Sequence, residues 1–592
     1  MNSPKMEDQL NLAMDVTPEE LAKSEGLGTG FNPIEDTWEV IIKYQGTLDD
    51  VRQMGIRVEE LIAGYAILTI PAGMVEQVAA LYQIEYMEKP KRLYFELVQA
   101  LAVSCILPVT LRTPFLTGKG VLVAVLDTGI DYRSTAFRNP DGTTRILGLW
   151  DQSVVPTAEN GFASPDGFYE GSVFYEEQIN RALVDERDWY RLVPSVDISG
   201  HGTAVAAIAA GNSDALGYTG VSSECSLLIV KLGNAGNFPK TTQLMRGVTW
   251  CLQMALRLRM PLCMNLSFGN TYGSHDGTSL LERFLDNAAE IGRTSICVGN
   301  GNEGSSAGHV GRIATYGRPQ REVLSVGAYE QSLSLQIWLN SVDEYRIVIR
   351  SPGGESYLIE TDGAVGSTIT ARLEKTTLLT YIGTPSPYST DQEIFIEMIP
   401  ADSNPYINSG DWIIEITGVT LRSGEYRLYL PSQEARGEQT FFLRPTVEQT
   451  LTIPSTSSKV ISVAAYDHLN DSYADFSGRG FYYVNQGTQL SDYGAVKPDL
   501  AAPGVGIRTL GPEDQQLVVS GTSFATPFVT GACALMMEQG IIRGYDPYCY
   551  GEKMKAYLRA GARPIRGEST YPNERIGWGA LCLRDSLPDN RF

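Results

Sequence analysis

The sequence predicts an α/β protein: a doubly wound parallel sheet, preceded by a small α+β unit and interrupted by an inserted all-β domain. Three observations lead there. Apolar runs at Val121–Leu126, Leu227–Val230, Leu262–Leu266, Ser295–Val298 and Val460–Ala464 are nearly continuous, as in strands covered on both faces. Helical patterns fall between and after them, at Gly202–Ala210, Thr241–Leu258, Ser279–Ile291 and Ser523–Gln539, and strand alternating with helix implies parallel pairing. From about Tyr316 to Thr450 the pattern becomes short runs (LQIWLN, YRIVIR, SYLIE, IFIEMI, DWIIEI, EYRLYL) separated by Gly, Pro, Asn and Asp, which suggests a sandwich or jelly roll.

Residues 1–36 carry eight acidic groups and two lysines and read as an acidic flexible tail. From Trp38 to Met87 a strand (WEVIIKY), a helix (Thr47–Met54), a strand (Tyr65–Ile70), a helix (Gly73–Tyr82) and a strand (Ile84–Met87) form an α+β unit spanning 37–99. Its core is thin enough to need a partner surface. The α/β core then occupies 100–315 and 451–592, with the β insert at 316–450. REVLSVGAYEQ (321–331) and KVISVAAYDHL (459–469) look like copies of one strand. The second is assigned to the parallel sheet, because α/β text follows it directly; the first opens the insert. In such a sheet the functional site lies beyond the C-terminal ends of the strands.

The charge balance of 47 basic against 69 acidic residues, net −22, disfavours nucleic acid and anionic lipid surfaces as partners. No basic segment followed by an apolar run opens the chain, so synthesis in the cytoplasm without a signal peptide is expected. The uncharged stretch Leu517–Met537 holds Gly, Ser, Thr and Pro527 and reads as a buried loop and core helix rather than a membrane span. The eight cysteines show no CxxC spacing, which predicts reduced thiols and no structural metal site.

Three segments carry chemistry: Asp127-Thr128-Gly129-Ile130-Asp131 at a strand end, and His201-Gly202-Thr203 and Gly521-Thr522-Ser523 at helix starts. A serine hydroxyl is a poor nucleophile until a base takes its proton, and histidine suits that role near neutral pH. A carboxylate fixes the imidazole tautomer and stabilises the imidazolium. Pro527 is expected in the first turn of its helix, where a missing N–H costs little.

In chain order Asp, His, Ser, these segments resemble the subtilase family of serine peptidases. Further segments extend the likeness: Asn265-Leu266-Ser267-Phe268-Gly269, Gly301-Asn302-Glu303-Gly304 and Val496-Lys497-Pro498-Asp499-Leu500-Ala501-Ala502-Pro503-Gly504. The resemblance implies a subtilisin-like fold and a serine endopeptidase with Asp127, His201 and Ser523 as its triad and Asn302 as oxyanion donor. It also implies substrate-pocket walls at Ser267, Phe268, Gly269, Gly299, Asn300 and Gly301. Residues 37–99 would be a propeptide, cut near Phe95 to Ala102, with Gln99 or Ala100 favoured. A jelly roll in this place resembles the Csp spore-germination proteases of clostridia, which implies spore association, activation of a protein substrate by limited proteolysis, and a propeptide that can stay bound. Asn212-Ser213-Asp214 matches the family's calcium loop poorly, so calcium is not indicated and no cofactor is required. From another class stands a catalytically silent sensor or scaffold with this fold. His275, His309 and His468 lack ligand spacing and read as core or surface residues, Cys297 as a packed thiol, and Asp131 and Asp197 as bonding turns or orienting loops.

Overall fold

The structure is a computed structural model that describes residues 3–24, 26–91, 94–95, 104–111, 115–185, 187–213, 216–233, 238–361, 363, 365–480 and 496–588. It forms two compact units: 1–94 with 270–280 and 305–453, and 95–269 with 281–304 and 454–592.

The second unit is built on one sheet in the order Ser472–Tyr473, Ile461–Asp467, Thr294–Gly299, Leu262–Leu266, Leu122–Asp127, Ser226–Lys231, Ile146–Asp151, Ser172–Tyr175, with Leu500–Pro503 also pairing beside Ile461–Asp467. The inner pairings are parallel and the two end strands antiparallel. Every residue of Leu122–Asp127 is buried, because both faces are covered. Val123 and Val125 pack with the helices His201–Ala210 and Thr522–Met537, while Leu126 on the opposite face lies beside Gly247 of the helix Thr241–Leu258. The pairing of Ile461–Asp467 with Thr294–Gly299 places the second of the two look-alike segments in this sheet, as expected. Gln320–Val326 pairs antiparallel with Gly410–Thr420 in the insert.

The insert is a two-sheet antiparallel sandwich. One sheet runs His309–Ile313, Glu425–Tyr429, Leu333–Asn340, Asp391–Pro400, Thr376–Ile382, Ser367–Leu373, and the other Ser356–Glu360, Glu344–Arg350, Gly410–Thr420, Gln320–Val326, Phe441–Phe442. It starts earlier than 316: the short polar strand HVGRI at His309–Ile313 gave little apolar signal yet pairs with Glu425–Tyr429. His275 and His309 are core residues that sandwich the Tyr429 ring at 4.0 and 4.4 Å between centroids.

The expected acidic tail is corrected. Asp8–Asp15 is a helix with Leu10 and Leu12 fully buried, and Phe31–Asn32 pairs with the strand Thr37–Tyr44. The acid content misled because Glu7 and Asp8 are packed inward rather than solvated: Glu7 pairs with Lys91, and the Asp8 carboxylate lies against Gly383. A second correction concerns the thiols. Cys105 and Cys582 form a disulfide across 477 residues of sequence, a separation that leaves no local motif; the other six cysteines are free and buried. Among the described residues no helix is long and apolar enough to cross a membrane.

Candidate active site

Asp127 ends its strand and His201 begins its helix, and the imidazole Nδ1 lies 2.7 Å from the Asp127 carboxylate. Asp127 also accepts from the Thr128 N–H at 2.7 Å, which fixes the rotation of the carboxylate. Helix and loop approach closely at Gly202, where an added Cβ would lie 2.2 Å from the Gly129 carbonyl; only glycine fits.

Asp197 holds this pair from behind. One carboxylate oxygen accepts from Thr128 Oγ1 (2.8 Å) and Gly200 N (3.0 Å), the other from Thr203 N (2.8 Å) and Thr203 Oγ1 (2.7 Å). It therefore bonds both the Asp127 loop and the first turn of the His201 helix. Thr128 Oγ1 in turn accepts from Gly202 N at 2.9 Å, and Thr203 Oγ1 from Asp131 N at 2.9 Å. The loop carrying Asp197 is itself anchored to two strand ends. Lys231 donates to the Val196 carbonyl at 2.9 Å, and Ser195 donates to Asp151 at 2.6 Å. Sequence reading gave Asp197 only a loop-orienting role; its signal was an acid just ahead of a helix start, the place for a capping carboxylate.

Ser523 is the second residue of the helix Thr522–Met537, entered through Gly521 at φ 152°. Its hydroxyl donates to the Ser267 carbonyl at 3.1 Å, and the Ser267 hydroxyl donates to the Ser523 carbonyl at 2.8 Å. This second bond explains Pro527, which lies past the first turn rather than within it as expected. A proline there denies the Ser523 carbonyl its i+4 donor, and Ser267 supplies a replacement. Ser267, expected as a pocket wall, thus has its side chain committed to the serine, with Asn265 Nδ2 donating to it at 2.8 Å. Asp127 and Ser523 are fully buried and His201 is 2% exposed.

The Asn302 amide oxygen accepts from Thr522 N at 3.1 Å, which turns the amide NH₂ end away from the helix backbone. The Asn300 side chain donates to the Gly478 carbonyl at 2.6 Å and accepts from Ser477 at 3.1 Å, which leaves its backbone as the part able to line a cleft. Gly299 faces Thr526 and Thr522 of the serine helix, and the Gly301 carbonyl accepts from Gly478 N. Phe268–Gly269 forms a short buried strand. Gln99, Ala100 and Asp214 lie outside the described residues. Among the described residues no cluster of three metal-ligating side chains stands ready for a metal ion.

Asp499 anchors the segment ahead of Leu500–Pro503. It meets Lys497 at 2.9 Å, is hydrogen-bonded by Arg559, and accepts from Ser462 N at 2.8 Å. Burial opposes its ionisation, but Lys497, Lys555 and Arg559 outweigh that and hold its carboxyl well below the usual range.

A parallel sheet with an Asp–His pair at its strand ends and a serine at a central helix start is a subtilisin-like constellation. Residues 118–397 and 436–579 match the model of the subtilase family, more than half of the chain, and this chain belongs to that family. Residues 4–91 match the Csp protease B prodomain. The chain is similar to the structure of the Clostridium perfringens CspB protease, at 35% identity and a TM-score of 0.73, covering 82% of this chain and 95% of that one. It is also similar to the minor extracellular protease Vpr of Bacillus subtilis, 24% identical over 80% of this chain and 52% of that protein. The major intracellular serine protease of the same organism is 27% identical over 40% of this chain and 59% of that protein. The chain thus spans only about half the length of these two curated relatives. The prodomain match starts at residue 4, in agreement with the folded N-terminus.

Proposed function

We propose that this protein is a serine endopeptidase that cleaves its own chain within 95–102 and then activates a protein substrate by limited proteolysis. The observation that carries the reading is the buried 2.7 Å Asp127–His201 contact, with the imidazole 5.2 Å from the ring of Phe524, the residue after Ser523 at the start of its helix. In this reading the Ser523 hydroxyl rotates away from the Ser267 carbonyl, passes its proton to His201 and attacks the substrate carbonyl. Asn302 and the Ser523 N–H, one of the unpaired donors of a first helical turn, receive the oxyanion. His201 then protonates the leaving amine, and a water that it deprotonates hydrolyses the acyl-enzyme.

The short strand Phe268–Gly269, whose backbone can pair with an extended chain, supports a peptide substrate, and the match of residues 4–91 to the Csp protease B prodomain supports the chain's own propeptide as the first one. Phe268, Gly269, Gly299 and Gly301 line the cleft, with Ser267 as its brace. Cleavage falls beside Gln99 or Ala100. No cofactor is required and calcium is not indicated. Nucleic acid and membrane are not partners. The propeptide stays bound after cleavage, and the protein acts in the spore; likeness to a CspB protease supports both.

Intact mass and N-terminal sequencing of the wild type beside Ser523→Ala test this. A wild type that splits within 95–102 while the variant stays whole is the expected result. Two whole chains, and no labelling of Ser523 by a serine-reactive phosphonate, would establish the silent scaffold instead.

A further inference from the structure

We propose that the prodomain is held on the β insert by a proton-dependent latch, formed by Glu7, Asp8 and Glu88 of the prodomain and Glu393 of the insert. The inference rests on the reading that the chain is cut within 95–102, since only then does prodomain docking become reversible.

Inside the first unit the two parts share one apolar core. Met6, Leu10 and Leu12 cluster with Leu379, Tyr381, Phe395 and Ile399 of the insert. At the edge of that core the contact turns acidic. Lys91 lies 2.7 Å from Glu7 and 3.1 Å from Glu88, and all three are buried. Glu88 also accepts from Leu280 N at 2.9 Å, and Glu7 from Lys89 N at 3.1 Å. Glu393 is buried on the strand Asp391–Pro400, opposite Trp338 of the neighbouring strand. The Asp8 carboxylate packs against Gly383 so closely that a Cβ there would overlap it. These groups line one cavity of about 60 Å³.

The ionisable groups facing Glu393 around that cavity are Glu7 and Asp8, Tyr86, Glu88 and Lys91, and Asp391. Asp391 is matched separately, by an ion pair with Arg427. The cavity therefore sets one ammonium against four carboxyl groups. Burying a charge without a partner is costly, and the docked state lowers that cost by keeping protons on carboxyls. Burial and the neighbouring Glu7 push the Glu393 carboxyl up to about 8, and burial drives Asp8 and Glu88 in the same direction. Once the prodomain leaves, these groups regain water and titrate in the ordinary carboxylate range. Docking is then fully supported below that range and is lost as pH rises through the docked value.

The test uses the full chain carrying Ser523→Ala, with residues 96–102 replaced by the recognition sequence of a foreign protease and cut in trans. Prodomain retention is read by size exclusion and by surface-immobilised dissociation at pH 6 and pH 9. One carboxyl with this shift predicts a dissociation constant about 100-fold weaker at pH 9 than at pH 6. Glu393→Gln should stay docked and lose most of that response, and Asp8→Asn should reduce it. Equal retention at both pH values, or an undiminished response in Glu393→Gln and Asp8→Asn, overturns the latch. Because the cut is made by another enzyme, this outcome is independent of self-cleavage, which the intact mass of the wild type reports separately.

Discussion

Both units bury carboxylates, but they face different neighbours. In the catalytic unit Asp499 sits among three cationic side chains and Asp197 among four hydrogen-bond donors. In the prodomain and insert, Glu393 faces other carboxyl groups with Lys91 among them. The cations around Asp499 stabilise the anion and the carboxyls around Glu393 stabilise the acid, so these two sites respond to pH with opposite sign. Burial alone does not set a carboxyl's behaviour; the charge count of its immediate surroundings does.

Removing the anion from the fully compensated site should have the largest effect. Asp499→Ala leaves three cations facing one another and should cost about 3–5 kcal/mol of stability, measured by denaturant unfolding in a Ser523→Ala background. A wild-type-like midpoint would mean the cations find other partners and the contrast is weaker than drawn. Asp197→Asn should come next. It keeps the shape but loses acceptor strength at the Asp127–His201 junction, and should lower kcat about 10²-fold with little change in KM. Removing this negative charge should also move the acid limb of the pH–rate profile to lower pH, which a merely loosened fold would not do. Ser267→Ala, which withdraws the donor that replaces the helix bond missing at Pro527, should cost about 1–2 kcal/mol in the same unfolding assay.

The smallest expected effect carries the opposite sign. Glu393→Gln should leave stability near neutral pH within about 1 kcal/mol of wild type and improve it at pH 9. The pH response of the parent separates the units directly. Asp499 supports the catalytic unit above the ordinary carboxylate range, and that support is lost as pH falls through it toward the depressed native value. The Glu393 cluster instead weakens as pH rises toward and past about 8. Hydrogen exchange followed in each unit at pH 3 and pH 9 should therefore show protection lost in different places.

The catalytic sheet was legible because its signal is local. Runs such as Leu122–Leu126 are apolar at every position, and Asp127, His201 and Ser523 each sit in a short turn-bearing segment. What escaped was mostly non-local. The four donors of Asp197 come from both sides of the Asp127–His201 junction, so no single stretch of sequence displays them. Ile146–Asp151 was missed because a glycine interrupts it and its outer neighbour is antiparallel. The N-terminal helix was hidden by its own acids: charge density suggests solvent, whereas here Glu7 is buried beside Lys91. Cys105 and Cys582 carry no sequence hint of one another. Ser267 and Asn300 were placed by resemblance at a cleft, and their side chains turn out to hold the serine and the 477–478 loop.

The Cys105–Cys582 bond also sets the covalent topology of the processed protein. The chain between those two residues is a closed ring, so a single nick anywhere inside it leaves one covalently continuous molecule. The 95–102 segment lies just outside the ring, on the N-terminal side. A single cut there is thus topologically distinct: it severs the prodomain's covalent link while the residues of the catalytic site and the sandwich remain on one closed loop.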